Sequence, residues 1–190
     1  EPGAFGGQAV AEILYGKVNP SGKLPITIPR HVGQIPIYYY HKPSQYSHAF
    51  IDGAKEPLYD FGYGLSYTHF QYGDLTCPEN LQYGDPLRVT FTVENKGEMA
   101  GEEVVQLYLR DDFSSTTRPV KLLVGFRRIH LGKGEKKTVA FSLDKEVFGY
   151  YDNKGKFVFE PGSFTLMAGG NSRSKDQIFQ KVTISNKKDN

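Results

Sequence analysis

The chain has 190 residues, of which 38% are hydrophobic and 23% charged, a globular composition that argues against disorder. Its 23 basic and 21 acidic side chains give a formal net charge of +2, so there is no electrostatic reason to expect nucleic acid or an anionic membrane as a partner. Cys77 is the only cysteine, which excludes an internal disulfide and a multi-cysteine metal site, and no apolar run approaches the roughly 20 residues that span a bilayer.

The first part of the chain, to about residue 68, has an irregular pattern. Apolar side chains at positions 9, 10, 13 and 14 predict a short helix with one apolar face, and Gly16 falls where its end would be capped. The segment 24–29 alternates like a strand, but its two prolines confine it to a sheet edge. A long loop is predicted from residue 41 to 56. These elements cannot bury a core alone, so this part needs a partner surface.

From about residue 70 to 184 the sequence changes to short alternating runs separated by turns. The runs centre on residues 89–93, 105–109, 122–131, 139–143, 164–168 and 179–184. The tetrapeptide 152–155 (Asp-Asn-Lys-Gly) lies between two aromatic runs and predicts a β-hairpin. About seven strands in this length predict a mainly β fold, an immunoglobulin or fibronectin type III-like β-sandwich.

The motifs for metal binding and catalysis are absent or incomplete. The five histidines show neither an HExxH pattern nor helical spacing to a second ligand. The polar stretch 111–115 lacks the spacing of an EF-hand and is interpreted as a loop. Glu102 and Glu103 are neighbours on a predicted strand, where they point to opposite faces and make a poor acid/base pair. The sequence therefore predicts no catalytic residue, no metal and no cofactor in this chain.

One aromatic segment is a candidate sugar-binding surface. Tyr38-Tyr39-Tyr40 is followed by His41, Tyr46 and Phe50. Aromatic rings stack on the apolar faces of sugars, and nearby polar groups can hydrogen-bond hydroxyls. The alternative is that these rings pack one domain against another, which is the interpretation we favour from the sequence.

Several motifs occur together in an order and spacing that resemble one enzyme family. They are Pro2–Gly7, Ala11–Gly16, Asn19–Pro25, Ile35–Tyr39, Pro57–Thr68, Val93–Gly97, Gly101–Tyr108, Arg118–Leu122, Gly125–Phe126 and Glu160–Phe164. The first five resemble the late part of the α/β sandwich domain of glycoside hydrolase family 3, and the others resemble its fibronectin type III-like domain. The resemblance predicts two units, the C-terminal segment of the α/β sandwich domain with a linker (1–69) and the β-sandwich (70–190).

The resemblance implies a function for a longer enzyme rather than for this chain alone. Members of the family are β-glucosidases, β-xylosidases and relatives that retain anomeric configuration, using an aspartate nucleophile and usually a glutamate acid/base about 5 Å apart. In the family both carboxylates lie upstream of the motifs found here, so no catalytic residue is transferred. The chain is thus expected to be the non-catalytic C-terminal portion of a secreted or periplasmic enzyme that acts on β-linked oligosaccharides or glucosides. Its expected partners are the N-terminal catalytic domains, with a homodimer as one further assembly.

The candidate substrate contacts are Tyr40, His41, Tyr46 and Phe61. The run Phe61-Gly62-Tyr63-Gly64 predicts a sharp turn with at least one glycine at positive φ, and we favour a buried junction for Phe61 over a place in the sugar pocket. Three features depart from the family pattern. Asp60 stands where proline is common, Phe5 where an acidic residue is frequent, and the stretch 43–55 is shorter, which weakens any substrate contact from that loop.

A second interpretation, from a different functional class, is a stand-alone carbohydrate-binding or adhesion module that uses the sandwich alone. Such a module would not need the helix, the edge strand and the segment 61–64, which favours the enzyme portion. The chain also starts at Glu1 without a signal-peptide pattern. We therefore expect a processed product or a piece of a longer protein.

Overall fold

The computed structural model describes residues 3–43 and 55–186. Its first part contains helix α1 (Gly6–Leu14) and a 3-10 turn at Val32–Gln34. The strands of the described residues are β1 (Phe70–Thr76), β2 (Asn80–Gln82), β3 (Leu87–Asn95), β4 (Gly101–Asp111), β5 (Leu122–Leu131), β6 (Lys136–Leu143), β7 (Tyr150–Tyr151), β8 (Phe157–Val158), β9 (Gly162–Gly169) and β10 (Ile178–Ser185). Further 3-10 turns lie at Lys145–Phe148 and Ser174–Asp176. The prediction of a mainly β fold is confirmed.

The long strands form two facing sheets. The smaller sheet has the order β1-β3-β6, and the larger has the order β2-β10-β9-β4-β5. Strands β7 and β8 form the predicted hairpin around residues 152–155, with Gly155 at φ +72°. This arrangement is the predicted β-sandwich of fibronectin type III-like kind. Its core contains Leu87, Val89, Phe91, Val93, Val105, Leu107, Leu109, Leu131, Val139, Leu143, Phe148, Phe164, Leu166, Ala168, Val182 and Ile184.

Alternation along the strands explains which side chains enter this core. In β3 the residues from Leu87 to Val93 are fully buried at every second position, because successive side chains of a strand point to opposite faces. Strand β4 departs from this pattern, since Gln106 and Tyr108 on its outer face are buried as well. The first part of the chain covers that outer face, through a ring contact to Tyr108 and a close backbone approach to Gln106.

The predicted edge strand at 24–29 is wrong. Ile28 makes an isolated antiparallel bridge with Tyr59, and Leu24 makes backbone hydrogen bonds of 2.8 Å to Gly62 and Tyr63. Pro25 and Pro29 carry no N–H, so the pairing is interrupted between these points and no continuous ladder forms. The segment nevertheless stays alongside residues 58–63.

Helix α1 confirms the predicted helix and its ending. Gly16 adopts φ +72° just beyond the helix and donates its N–H to the Ile13 carbonyl at 2.9 Å, in the left-handed conformation that glycine tolerates. Several large apolar side chains of this region face solvent, with Phe5 78% and Leu14 73% exposed. No helix within the described ranges is long and apolar enough to cross a membrane.

Candidate functional site

The aromatic segment divides into an inner and an outer group of rings. Tyr39 stacks on Phe61 with ring centroids 4.4 Å apart and meets Tyr108 edge-on at 5.8 Å. Tyr38 and Tyr40 stack on each other at 4.8 Å and are 42% and 48% exposed. The inner rings therefore pack the first part of the chain against the sandwich, while the outer pair is open to solvent.

The structure brings the four candidate contacts together only in part. Tyr40 belongs to the outer pair, and Phe61 is half-buried in the inner group. The exposed His41 follows Tyr40 directly. Tyr46 lies outside the described residues. A role in sugar binding stays a prediction for all four.

Backbone groups at the start of β5 hold the aromatic segment. The Val120 N–H donates to the His41 carbonyl at 2.9 Å, and the Leu123 N–H donates to the Tyr39 hydroxyl at 3.4 Å. Among the strands of residues 3–43 and 55–186, β5 is the edge of the larger sheet and pairs with β4 alone, and the outer backbone groups of an edge strand can bind another segment. The position of the aromatic segment is thus set by the sandwich.

Two glycines allow the segment after Phe61 to pass close to its neighbours, which are the sandwich for Gly62 and the chain around residue 22 for Gly64. Gly62 has φ +80°, and a Cβ added there would lie 2.5 Å from the Gln106 side-chain oxygen. A Cβ on Gly64 would collide with the carbonyl oxygen of Gly22. The predicted sharp turn with a glycine at positive φ is confirmed, and its cause is this double close approach.

The loop 170–177 contacts the two residues that directly precede Gly62. The Ser172 N–H donates to the Phe61 carbonyl at 2.9 Å. Asp60, one of the departures from the family pattern, accepts a hydrogen bond of 2.8 Å from Arg173 Nε in an ion pair whose carboxylate is largely buried. Asp60 therefore has a structural partner in this chain.

A buried lysine lies between this loop and the start of β5. Lys121 is 6% exposed, and its Nζ donates to the Ser172 carbonyl (2.8 Å), Ser174 Oγ (2.7 Å) and Gln177 Oε1 (3.0 Å). Burial lowers the pKa of Lys121 to about 8, although the nearby Asp60 carboxylate opposes this effect. The three acceptors use all three donors of the ammonium group.

A buried ion pair connects the first part of the chain to β4. Glu103 pairs with Lys23 at 3.0 Å, with their side chains 5% and 16% exposed, and accepts a hydrogen bond of 2.8 Å from the Tyr72 hydroxyl. Burial, and then the Glu103 charge, raise the pKa of Tyr72 well above its usual value. Glu102 lies on the opposite face and pairs with the exposed Arg128. The inference that the two glutamates face apart is confirmed, and each has a basic partner of its own.

Two asparagines complete the junction, and sequence reasoning missed both. Asn19 accepts from the Tyr67 N–H at 2.9 Å and donates to the Ala100 carbonyl at 3.0 Å. Asn95 is fully buried and accepts a hydrogen bond from the Thr68 hydroxyl. A signal was present for Asn95, because it continues the inward series of β3 with a polar side chain that must find partners when buried. Asn19 sits in a turn motif and gave no such signal.

The polar stretch 111–115, which lacks the spacing of a calcium-binding EF-hand, is held by protein contacts. Asp112 accepts hydrogen bonds of 2.8 Å from Arg110 and 2.9 Å from the Thr165 hydroxyl. Glu160 accepts a hydrogen bond of 2.8 Å from the Ser115 N–H, and hydrogen bonds from Ser115 hold its pKa at about 2. In residues 3–43 and 55–186, no group of three His, Cys, Asp or Glu side chains is arranged to hold a metal ion.

Comparison with protein-family models gives a match for each part of the chain. Residues 1–67 match the glycosyl hydrolase family 3 C-terminal domain. Residues 103–172 match the fibronectin type III-like domain. The two matches follow each other in the order that the sequence motifs predict.

Relatives and solved structures agree with these matches. The chain is 45% identical to a periplasmic beta-glucosidase of Salmonella typhimurium over 94% of its own length and 25% of that protein. It is 40% identical to thermostable beta-glucosidase B of Acetivibrio thermocellus, over 90% of the chain and 24% of the relative. A crystal structure of a beta-glucosidase from Listeria innocua in complex with glucose is 38% identical with a TM-score of 0.88, covering 95% of this chain and 26% of that one.

The extent of these alignments fixes which part of the relatives the chain resembles. It spans about a quarter of the length of each of these proteins. The family models place its two matched parts in the C-terminal domain and the fibronectin type III-like domain. The chain is therefore similar to the C-terminal portion of beta-glucosidases that carry the glycosyl hydrolase family 3 C-terminal domain and the fibronectin type III-like domain.

Proposed function

We propose that the chain acts as the C-terminal, non-catalytic portion of a retaining β-glycosidase of the β-glucosidase type, which removes terminal β-linked glucose from oligosaccharides or glucosides. The observation that carries the proposal is the alignment of more than nine tenths of the chain with proteins named beta-glucosidases, at 38–45% identity. A stand-alone adhesion module is disfavoured, because the buried pair of Lys23 and Glu103 joins the first part of the chain to the sandwich.

The partner in this proposal is the set of N-terminal catalytic domains. Large apolar side chains of the first part that are at least 70% exposed in the described residues are Phe5, Leu14, Tyr15, Val32 and Leu65. The concentration of such side chains in the first part of the chain supports an interaction surface there. We assign it to the catalytic domains, and we place the division between the two units at residues 69 and 70, where β1 begins.

Within this assembly the outer aromatic pair forms one wall of the sugar site. Tyr40 and the neighbouring His41 are exposed beside Tyr38, so a ring face and a polar group are both available to a sugar. Phe61 supports this wall indirectly, because its ring stacks on Tyr39, which lies between the outer rings and the sandwich. Tyr46 completes the candidate set from the sequence.

The location proposed for the whole enzyme is secreted or periplasmic. The Salmonella typhimurium relative is named as a periplasmic protein and is 45% identical to this chain.

A homodimer is one further proposed assembly, and sedimentation of the purified protein tests it directly.

A hybrid enzyme tests the proposed function. The C-terminal quarter of the Salmonella typhimurium relative is replaced by this chain, and hydrolysis of an aryl β-glucoside is measured. We expect turnover by the hybrid and a several-fold higher KM in its Tyr40→Ala variant, because the sugar loses a stacking partner. Lys175→Met, at an exposed lysine of the sandwich, is the matched control and leaves KM unchanged. A folded hybrid without turnover contradicts the proposed function, and an unchanged KM in Tyr40→Ala contradicts the aromatic wall.

A further inference from the structure

We propose that Lys121 is a positioning residue that holds the aromatic segment 38–41 in place by fixing the start of β5 to the loop 172–177. The inference rests on the proposed function only for its consequence in sugar binding. Its structural content concerns contacts within this chain and is tested separately.

The first connection between Lys121 and the aromatic segment runs through the backbone on either side of Lys121, where the chain enters β5. Val120, which directly precedes Lys121, donates its N–H to the His41 carbonyl at 2.9 Å. Two residues after Lys121, Leu123 donates to the Tyr39 hydroxyl at 3.4 Å. A shift of Lys121 therefore displaces the two backbone donors that hold the aromatic segment.

The second connection runs through the loop and the inner rings. Lys121 Nζ binds the Ser172 carbonyl, while the N–H of the same Ser172 donates to the Phe61 carbonyl at 2.9 Å. Phe61 stacks on Tyr39 at 4.4 Å. Lys121 Nζ also lies 5.8 Å from the centre of the Tyr108 ring, which Tyr39 meets edge-on. Both connections end on Tyr39, next to the exposed Tyr38 and Tyr40.

The chemistry of the site explains why a lysine stands at this position. Its three acceptors come from Ser172, Ser174 and Gln177, and all three lie within 3.0 Å of the single Nζ atom. A compact ammonium carries three rotatable donors on one nitrogen and can serve such a set, whereas arginine spreads its donors over three nitrogens of a rigid planar fork. Methionine has a similar length and no donor, so Lys121→Met removes the hydrogen bonds while it keeps most of the packing.

Amide hydrogen exchange on the 190-residue chain tests the structural content. In Lys121→Met we expect protection to fall about tenfold or more at Val120 and Ser172, since hydrogen bonds from a charged donor stabilise by at least 1.4 kcal/mol, which is tenfold. Protection of Phe91 in the core of β3 should stay as in the wild type. Lys175→Met, at an exposed lysine of the same loop, should change none of the three amides. Ser174→Ala, which removes one acceptor, gives a smaller loss at the same two amides and serves if Lys121→Met does not fold.

Two exchange results would overturn the inference. Unchanged protection at Val120 and Ser172 shows that Lys121 does not hold these segments. An equal loss at Phe91 shows that the lysine only stabilises the whole sandwich.

Kinetics of the hybrid enzyme test the consequence for sugar binding. Lys121→Met should raise KM for an aryl β-glucoside several-fold with little change in kcat. In the Tyr40→Ala background the same replacement should have no further effect on KM, because the wall that it positions is already lost. If Lys121→Met and Tyr40→Ala raise KM independently, so that their fold-changes multiply in the double variant, the positioning role is contradicted. If Tyr40→Ala alone leaves KM unchanged, the aromatic wall of the proposed function fails, while the exchange result still decides the role of Lys121.

Discussion

Replacing Gly62 with alanine tests how tightly the first part of the chain is docked on the sandwich. Gly62 has φ +80°, where an alanine costs about 1 kcal/mol. The new Cβ would lie 2.5 Å from Gln106 Oε1, so the Gln106 side chain has to move. That side chain donates to the Gly170 carbonyl at 2.8 Å and accepts from the Tyr108 hydroxyl, and each lost hydrogen bond costs about 1 kcal/mol. The sum is about 3 kcal/mol, or roughly a hundredfold in the docking equilibrium.

Amide exchange at Ser172 measures this equilibrium, because its N–H donates to the Phe61 carbonyl and is released when the segment undocks. We expect a roughly hundredfold loss of protection in Gly62→Ala. Gly16→Ala is the matched control, since Gly16 has φ +72° but no atom within 4 Å of an added Cβ. It should leave Ser172 as in the wild type. Wild-type protection of Ser172 in Gly62→Ala would show that the close approach of Gly62 to Gln106 does not hold the first part of the chain on the sandwich.

Three further predictions concern stability, measured by denaturant titration of the chain. Phe61→Ala removes a half-buried ring and should cost about 2 kcal/mol, less than a fully buried Phe; no loss would contradict its packing role. Glu103→Ala leaves the buried Lys23 charge unpaired and should lower the free energy of unfolding by about 3 kcal/mol. Its control Glu102→Ala breaks an exposed pair and should cost less than about 1 kcal/mol. Similar losses in the two variants would contradict a stabilising role of the buried pair. The Lys121 pKa of about 8 lies below its unfolded value of 10.5, so the unfolded state binds more protons between these pH values. The stability of the wild type relative to Lys121→Met should therefore rise from pH 8 to 10.5, and a flat or falling difference would count against a buried ammonium.

The sandwich could be predicted from the sequence because its signal is local. The alternating residues of β3 and the turn at 152–155 each indicate their structure within ten residues. Strand alternation also separates Glu102 from Glu103 without any knowledge of their partners. These features need only the geometry of a single strand or turn.

The junction could not be predicted in the same way, because its contacts join distant residues. Lys23 meets Glu103, and Asp60 meets Arg173, across 80 and 113 positions of sequence. The sequence also does not distinguish the inward Tyr39 from its outward neighbours, since all three rings have the same chemistry and no regular element fixes their directions. Whether segment 24–29 forms a continuous strand likewise depends on how far its two prolines interrupt the backbone pairing, which the sequence pattern does not specify.

The most direct test of the central claim, that this chain supports a glycosidase without performing its chemistry, is an activity measurement on the purified 190-residue chain. Its fold is first verified by a dispersed amide spectrum, and it is then incubated with an aryl β-glucoside at high protein concentration. We expect no hydrolysis above the buffer rate, because retaining hydrolysis needs two carboxyls about 5 Å apart around the bond that is cleaved and no such pair is assigned to this chain. Turnover that disappears when one of the chain's own carboxylates is replaced by an amide would show that the chain performs the chemistry itself.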